Sequence, residues 1–125
     1  MLSVLVAAAV AAQPQPNCKN PQTETDMNIC SARSLRAADA AMVRQYNLIA
    51  ARMRQMDKDG EPTGYFNALL ESQRAWLKYR DAQCRFEGYL VRGGTAEPLM
   101  VNGCQEQLTK KRTQDLKSLL ESYGR

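Results

Sequence analysis

An unbroken helical stripe of apolar residues, from Thr25 to Asp57, is the strongest constraint in this 125-residue chain. Its members follow one another mostly at steps of three or four residues, which is the spacing of one face of an α-helix. They are Met27, Cys30, Leu35, Ala38, Met42, Tyr46, Ile49, Met53 and Met56. A helix of about 33 residues is about 50 Å long. A compact domain of this size is narrower than that, so the stripe predicts an elongated bundle.

Two further helical segments follow, and no segment has the pattern of a β-strand. Gly60 and Pro62 end the first helix, and Gly93 and Gly94 end the second. Short turns between helices make neighbours antiparallel. The sequence therefore predicts an all-α fold, an elongated antiparallel bundle of three main helices at about 25–57, 64–91 and 102–123, with the third packed against the second. A start of the third helix near Thr95 is the alternative, with residues 96–100 as its first turn or as a separate short helix.

The second segment has two faces with helical spacing. Because both carry apolar side chains, we expect this helix to be sandwiched between partners, with Tyr79 in the core like Tyr46 and Trp76. One face contains Phe66, Leu69, Gln73, Trp76, Leu77, Arg80 and Cys84. The other contains Ala68, Ser72, Ala75, Tyr79, Ala82 and Phe86.

The N-terminus has the pattern of an export signal. Residues 1–12 are apolar except for Ser3 and end in small residues, as a signal peptide does, and they are too few to span a bilayer. We expect cleavage of residues 1–12, an exposed polar segment at 13–17 and a helical domain at 18–123. Cys18 follows Gln15-Pro16-Asn17, which is not a lipobox. The prediction is a periplasmic or secreted protein, neither a lipoprotein nor inserted in a membrane after cleavage.

Four cysteines in a small exported domain predict two disulfides. If the second turn is centred near residue 94, facing residues of the second and third helices have numbers that sum to about 188. Cys84 and Cys104 meet this condition, which leaves Cys18 to pair with Cys30. The alternative is Cys30 with Cys84 and Cys18 with Cys104. The spacings contain no C-x2-C knuckle, so no metal site is predicted.

The same arithmetic places a charged pair between the first two helices. Around a turn centred near residue 60, facing residues sum to about 120, so Asp39 lies near Arg80. One interpretation makes Arg80 a cation that binds a ligand. The interpretation we favour is a structural ion pair, Asp39–Arg80, that fixes the alignment of the helices.

Composition excludes several functional classes. The chain has no histidine, which removes Ser-His-Asp and Cys-His catalysis, and its paired carboxylates lack a nucleophile, metal set or phosphate-binding loop. We therefore expect no enzyme activity and no cofactor. The net charge of +4 is spread among interspersed acidic residues. The run from Lys110 to Arg112 is too short, and too poor in aromatic residues, to predict nucleic-acid binding.

Three motifs in order give the chain a family resemblance. The central one is Gln73-Arg74-Ala75-Trp76-x-x-Tyr79-Arg80-Asp81-Ala82-x-Cys84. The flanking ones are Thr23-x-x-x-Met27-Asn28-x-Cys30 with Ala38-Asp39 and Tyr46, and Gly93-Gly94-Thr95 with Cys104-x-x-x-Leu108-Thr109-x-x-Arg112-x-x-x-Leu116. Together they resemble the LprI-like family of exported bacterial proteins over roughly residues 18–120. The resemblance implies an exported, all-helical, disulfide-bonded domain. For the mycobacterial member that names the family, a lipoprotein, it also implies binding and inhibition of lysozyme.

Two functions are consistent with these observations. The first is an inhibitor that occludes the cleft of a lysozyme-type enzyme with the loop Arg92-Gly93-Gly94-Thr95, a glycine-rich turn that carries a cation and a hydroxyl. The alternative is an envelope module that binds a protein or the cell wall without inhibiting it. A third idea, binding to polyanions or membrane surfaces, rests on net charge alone. The expected partner is a protein, and the sequence sets no oligomeric state.

Overall fold

Three long helices form the whole architecture of residues 15–123, the part of the chain that the computed structural model describes. They are α1 (Glu24–Lys58), α2 (Tyr65–Tyr89) and α3 (Ala96–Tyr123). No strand occurs within residues 15–123. The all-α prediction is confirmed. The predicted signal peptide at residues 1–12 lies outside the described residues. No helix in the described part of the chain combines the length and apolar character needed to cross a membrane.

The ends of the helices follow local chemistry. Thr23 is the N-cap of α1, and its Oγ1 accepts the backbone N–H of Asp26 at 3.0 Å. Glu24 and Asp26 place negative charge in the first turn, where the helix dipole favours it. After Lys58, Gly60 adopts a φ of 126°, a left-handed conformation that favours glycine.

The first turn is closed by a carboxylate from the end of α1. Asp57 accepts the backbone N–H groups of Gly64, Tyr65 and Phe66 at 2.9, 2.9 and 3.1 Å. Gly64, the N-cap of α2, has no side chain to cap these groups, so Asp57 replaces the missing cap. Desolvation raises the pKa of Asp57, but the three backbone hydrogen bonds outweigh it and hold that pKa below its ordinary value.

The apolar core lies in the half of the bundle that adjoins the first turn, which we call the first-turn half (residues 42–77 and 112–123). Half-buried aromatic and aliphatic side chains pack against the buried ones there. The buried members are Met42, Ile49, Ala50, Leu69 and Leu116. In the opposite, second-turn half (residues 18–41 and 78–111), the buried residues are small or polar, apart from the disulfide sulfurs. They are Cys30, Ala38, Cys84, Gly88, Cys104 and Thr109.

Helix α3 contacts both of the other helices. It packs against α2, as expected, but more extensively against α1. Glu24 contacts Thr95, and Ser31 contacts Asn102, with the same sequence separation of 71, so α1 and α3 run parallel. Helix α3 begins at Ala96, which agrees with the earlier of the two predicted starts, near Thr95, and not with the start near Asn102. Pro98 lies in its first turn, where a backbone N–H has no partner within the helix and proline is therefore tolerated.

The sandwich predicted for α2 is wrong. One face packs on the core, through Leu69 and Gln73, while the other is exposed along its length. Tyr79 on that second face is 55% exposed, so it is not a core residue. Because α3 packs more extensively on α1, it reaches this outer face of α2 through Arg112, which donates to Ser72 at 3.1 Å, and the apolar side chains of the face stay exposed.

Candidate interaction site at the second turn

The end of the bundle at the second turn presents large side chains to solvent. We call residues 89–100 the tip: the last residue of α2, the turn and the start of α3. Tyr89 and Leu90 at the end of α2 are 53% and 72% exposed, and Leu99 and Met100 in the first turns of α3 are exposed as well. Such a cluster is typical of a surface that binds another molecule.

Two disulfides cross-link the second-turn half. Cys84 pairs with Cys104 and joins α2 to α3, with the Cα atoms 5.5 Å apart. Cys18 pairs with Cys30 and ties the N-terminal segment to α1, again at 5.5 Å. The predicted pairing is confirmed, and the alternative of Cys30 with Cys84 is wrong. The Glu87 carboxylate lies 2.9 Å from Cys104 Sγ. Because the sulfurs of Cys84 and Cys104 are bonded to each other, the cluster of Cys84, Glu87 and Cys104 offers a metal ion one carboxylate and no thiolate.

Hydrogen bonds fix the candidate loop Arg92–Thr95 onto α1 and α3. The Thr95 hydroxyl donates to Glu24 at 2.6 Å, and the Thr95 carbonyl accepts from Asn28 Nδ2 at 3.2 Å. The Gly93 N–H donates to Glu97 at 3.1 Å, and Gly93 has a φ of 89°. The hydroxyl that the sequence assigned to a partner is therefore used internally.

Arg92 is the side chain of this loop that faces outward. Its guanidinium lies 5.2 Å from the centre of the Tyr89 ring, a distance typical of a cation–π contact. Two carboxylates contact this loop, those of Glu24 and Glu97. They accept hydrogen bonds from the Thr95 hydroxyl and the Gly93 N–H. The tip thus presents a positive charge on an aromatic surface.

A close approach of α2 to α3 lies directly beneath the tip. Gly88 is buried, and a Cβ atom there would lie 2.6 Å from Val101 Cγ2. Gly88 is the second-last residue of α2, and its lack of a side chain allows the two helices to meet there. A groove of about 320 Å³ opens next to this contact. Its lining includes Leu99, Met100 and Cys104.

The central sequence motif is largely a structural network. Arg80 Nη1 lies 2.7 Å from Asp39 Oδ1, and Arg80 Nε lies 3.0 Å from Asp81 Oδ1. Arg80 also donates to the Thr109 hydroxyl at 3.1 Å, and Asp81 accepts from Gln105 at 3.0 Å. The structure brings Asp39 and Arg80 together, and Arg80 links all three helices. With its side chain only 11% exposed, Arg80 is poorly placed to bind a ligand.

A second arginine has a matching structural role. Arg112 Nε donates to the buried Gln73 at 3.0 Å, and Arg112 lies 5.8 Å from the Trp76 ring centre. Burial lowers the pKa of Arg112, and nearby Asp115 opposes that shift. The two lysines before it form salt bridges one helical turn away, Lys110 with Glu106 and Lys111 with Asp115. The basic run is therefore engaged with its own chain.

Comparison with known proteins agrees with the motifs and the helices. The family model "Lysozyme inhibitor LprI" matches residues 17–116. The chain belongs to the LprI family. The structure of a DUF1311 family protein from Pseudomonas putida KT2440 superimposes on it with a TM-score of 0.67 at 25% identity, covering 82% of this chain and 96% of that one. This LprI-family chain therefore shares its fold with a solved relative.

Two sequence relatives have been found as well. The uncharacterised protein R02472 of Rhizobium meliloti (strain 1021) is 43% identical over 98% of the LprI-family chain and 91% of its own length. The uncharacterised protein YecT of Escherichia coli (strain K12) is 32% identical over 53% of this chain and 44% of its own length. Neither name states an activity. The family and the two disulfides indicate an extracytoplasmic protein.

The interaction role of the loop Arg92–Thr95 in this LprI-family chain stays a prediction, and the apolar residues around it were not predicted from the sequence. Tyr89, Leu90, Leu99 and Met100 were not singled out, because they follow the helical pattern of a core face. One signal was available: the two disulfides predicted for this half reduce its need for apolar residues in the core. Apolar side chains in this half can therefore remain exposed and contact another molecule.

Proposed function

We propose that this chain is an exported inhibitor of lysozyme-type enzymes that inserts its tip into the substrate cleft. The observation that carries the proposal is the exposure of Tyr89, Leu90 and Arg92 on an end cross-linked by Cys84–Cys104. Tyrosine and arginine dominate the energetics of protein interfaces. The family model, which is named for lysozyme inhibition, supports the same function.

Rigidity of the tip favours tight binding. A flexible loop loses conformational entropy when a partner orders it, and this loss weakens the complex. Here the disulfide and the contacts of Thr95 with Glu24 and Asn28 order the loop beforehand. The tip can therefore enter a cleft with a small entropic cost.

Arg92 supplies the chemistry that suits a glycosidase cleft. Such enzymes use a pair of carboxyl groups on either side of the scissile bond. A guanidinium group makes strong, charge-assisted hydrogen bonds to carboxylates. With Arg92 between the two carboxyl groups of the enzyme, and Leu90 and Tyr89 packed against the sides of its cleft, the substrate would be excluded.

Net charge restricts the choice of target. This chain carries +4, so long-range repulsion slows its encounter with strongly basic lysozymes. We expect the tightest binding to neutral or acidic enzymes of the lysozyme type. A weaker effect on basic enzymes should improve as salt is added, because salt screens the repulsion.

A muramidase clearing assay tests the proposal. Purified chain is titrated against animal, bacterial and phage lysozymes of differing charge. We expect inhibition of at least one of them, and a loss of more than about tenfold in potency for Leu90→Asp or Arg92→Glu. The matched controls are Leu48→Asp and Arg44→Glu, at exposed positions of α1, which should inhibit like the wild type.

Two results would contradict the proposal. The first is absence of inhibition by the wild-type chain at micromolar excess over every enzyme, which would favour a non-inhibitory envelope module. The second is inhibition that the tip variants retain in full while circular dichroism shows them to be folded.

A further inference from the structure

The outer face of α2 has a regular pattern of small and large side chains. Every member of this stripe is exposed, and the steps between members alternate between four and three residues. In chain order the members are Ala68, Ser72, Ala75, Tyr79, Ala82 and Phe86. Three small residues fill the N-terminal part, whereas the two aromatic residues, 55% and 60% exposed, lie in the C-terminal part on either side of Ala82. At its N-terminal part Ser72 accepts a hydrogen bond from Arg112 of α3 at 3.1 Å, and the apolar members of the stripe remain exposed.

We propose that this outer face pairs with the same face of a second copy of the chain, as an antiparallel helix pair about a two-fold axis beside residue 77. Facing residues then have numbers that sum to 154. Tyr79 packs on Ala75 of the second copy, and Phe86 packs on Ala68. Ala82 faces Ser72, so two small residues allow the helices to approach between the aromatic layers. Each aromatic ring meets a small residue, as close packing of helices requires.

The parallel arrangement does not share this complementarity. In a parallel pair each residue faces its own copy, so Tyr79 would meet Tyr79 and Phe86 would meet Phe86. The helices would be held apart there, while Ala68 and Ala75 would leave gaps opposite their own copies. Voids and overpacking both destabilise a contact. The order of sizes along α2 therefore selects the antiparallel pair.

Charges beside the stripe also suit the antiparallel pair. Glu71, Lys78 and Arg85 follow at intervals of seven residues along one border, and all three are exposed. Along this border Glu71 and Arg85 sum to 156, two more than the facing sum, so Glu71 lies about 3 Å along the helix axis from Arg85 of the second copy. Long side chains span this offset, and the opposite-charge pair occurs twice. Lys78 lies near its own copy at the axis, where its long side chain can turn towards water. Two attractive pairs thus accompany one repulsive pair.

The size of the face predicts a weak, reversible dimer. From Ala68 to Phe86 a helix is about 27 Å long. One helix pair of this length buries less surface than the roughly 1,600 Å² of a standard interface. We therefore expect monomer and dimer to exchange with a dissociation constant of roughly 10 μM to 1 mM.

Sedimentation velocity over a concentration series tests the proposal. The wild-type chain should shift from monomer to dimer as its concentration rises to about 1 mM. Phe86→Glu should raise the dissociation constant at least about tenfold, because it places a carboxylate in the seam. Leu48→Glu is the matched control, since Leu48 is 58% exposed on α1 and lies outside the seam; it should dimerise like the wild type.

A charge exchange tests the register itself. Glu71→Arg and Arg85→Glu should each weaken the dimer, since each puts like charges opposite one another. The double variant should restore wild-type association, because the pair is re-formed with its charges reversed. A chain that stays monomeric at every concentration would overturn the proposal. So would a dimer that Phe86→Glu leaves intact, or a double variant no tighter than the single ones.

Discussion

The two halves of this bundle are held together by different forces. The first-turn half has the apolar core around Ile49, Leu69 and Leu116. The second-turn half has both disulfides and the network around Arg80, and its buried residues in the described chain are small or polar apart from cysteine. The comparison teaches that covalent links and hydrogen bonds replace apolar packing near the tip. Apolar side chains of that half can therefore remain at the surface for a partner.

The largest effect is expected in the first-turn half. Leu116 is fully buried in the core, and Leu116→Ala should lower the free energy of unfolding by about 4 kcal/mol, through lost burial and the cavity left behind. Urea unfolding followed by circular dichroism measures it. Leu119, 43% exposed on the same helix, is the control: Leu119→Ala should cost less than about 1 kcal/mol. Equal losses would show that the core is placed wrongly.

The next largest effect belongs to the second-turn half. Replacing Cys84 and Cys104 together with alanine should cost about 3 kcal/mol, because the disulfide restricts the unfolded chain. Amide exchange should accelerate around residues 84–104 much more than around Leu69. Uniform acceleration along the whole chain would mean that the two halves do not differ as described.

The ion pair of the second-turn half should contribute less. Asp39→Ala removes one partner of the nearly buried Arg80, but Asp81 and Thr109 remain in contact with it. We expect a loss of about 1 to 2 kcal/mol in the free energy of unfolding. Asp115→Ala breaks the exposed pair with Lys111 and should cost less than about 0.5 kcal/mol. An Asp39→Ala chain as stable as the wild type would show that the pair has no structural role.

The smallest effect is expected at the first turn itself. Asp57→Ala leaves three N–H groups of α2 without their acceptor and should lower the melting temperature by about 5 °C. Because its pKa in the folded chain lies below the ordinary value of 3.8, the contribution of Asp57 is present above that value and is lost as the pH falls through the folded pKa. The gap between the melting temperatures of wild type and variant should therefore close in acid. A gap independent of pH would contradict the assignment.

Patterns within one helix, and contacts between two helices joined by a turn, could be predicted from the sequence. The spacing of the stripe in α1, the turns at Gly60 and Gly93, and the pairing of Cys84 with Cys104 depend on helix geometry and chain reversal alone. The contact of Asp39 with Arg80 also follows from counting around a turn. These features need no knowledge of how the third helix is placed.

Features that depend on the third helix could not be predicted. Whether α3 lies on the outer face of α2 or across α1 changes no apolar spacing, so Tyr79 was wrongly assigned to the core. Asp57 was missed because the N–H groups that donate to it lie seven to nine residues away, across an irregular turn. The exposed tip was missed because apolar residues at helical spacing ordinarily indicate a face buried in the core. Here disulfides and hydrogen bonds hold the helices together instead, so those residues remain exposed.

Hydrogen exchange of this chain, with and without a lysozyme that it inhibits, tests directly whether the tip is the inhibitory surface. We expect slower exchange on binding within residues 84–104, centred on Tyr89 to Arg92, and unchanged exchange around the first turn at residues 57–66. Protection at the first turn, or none within residues 84–104 when the enzyme is saturated, would contradict the placement of the inhibitory surface at the tip.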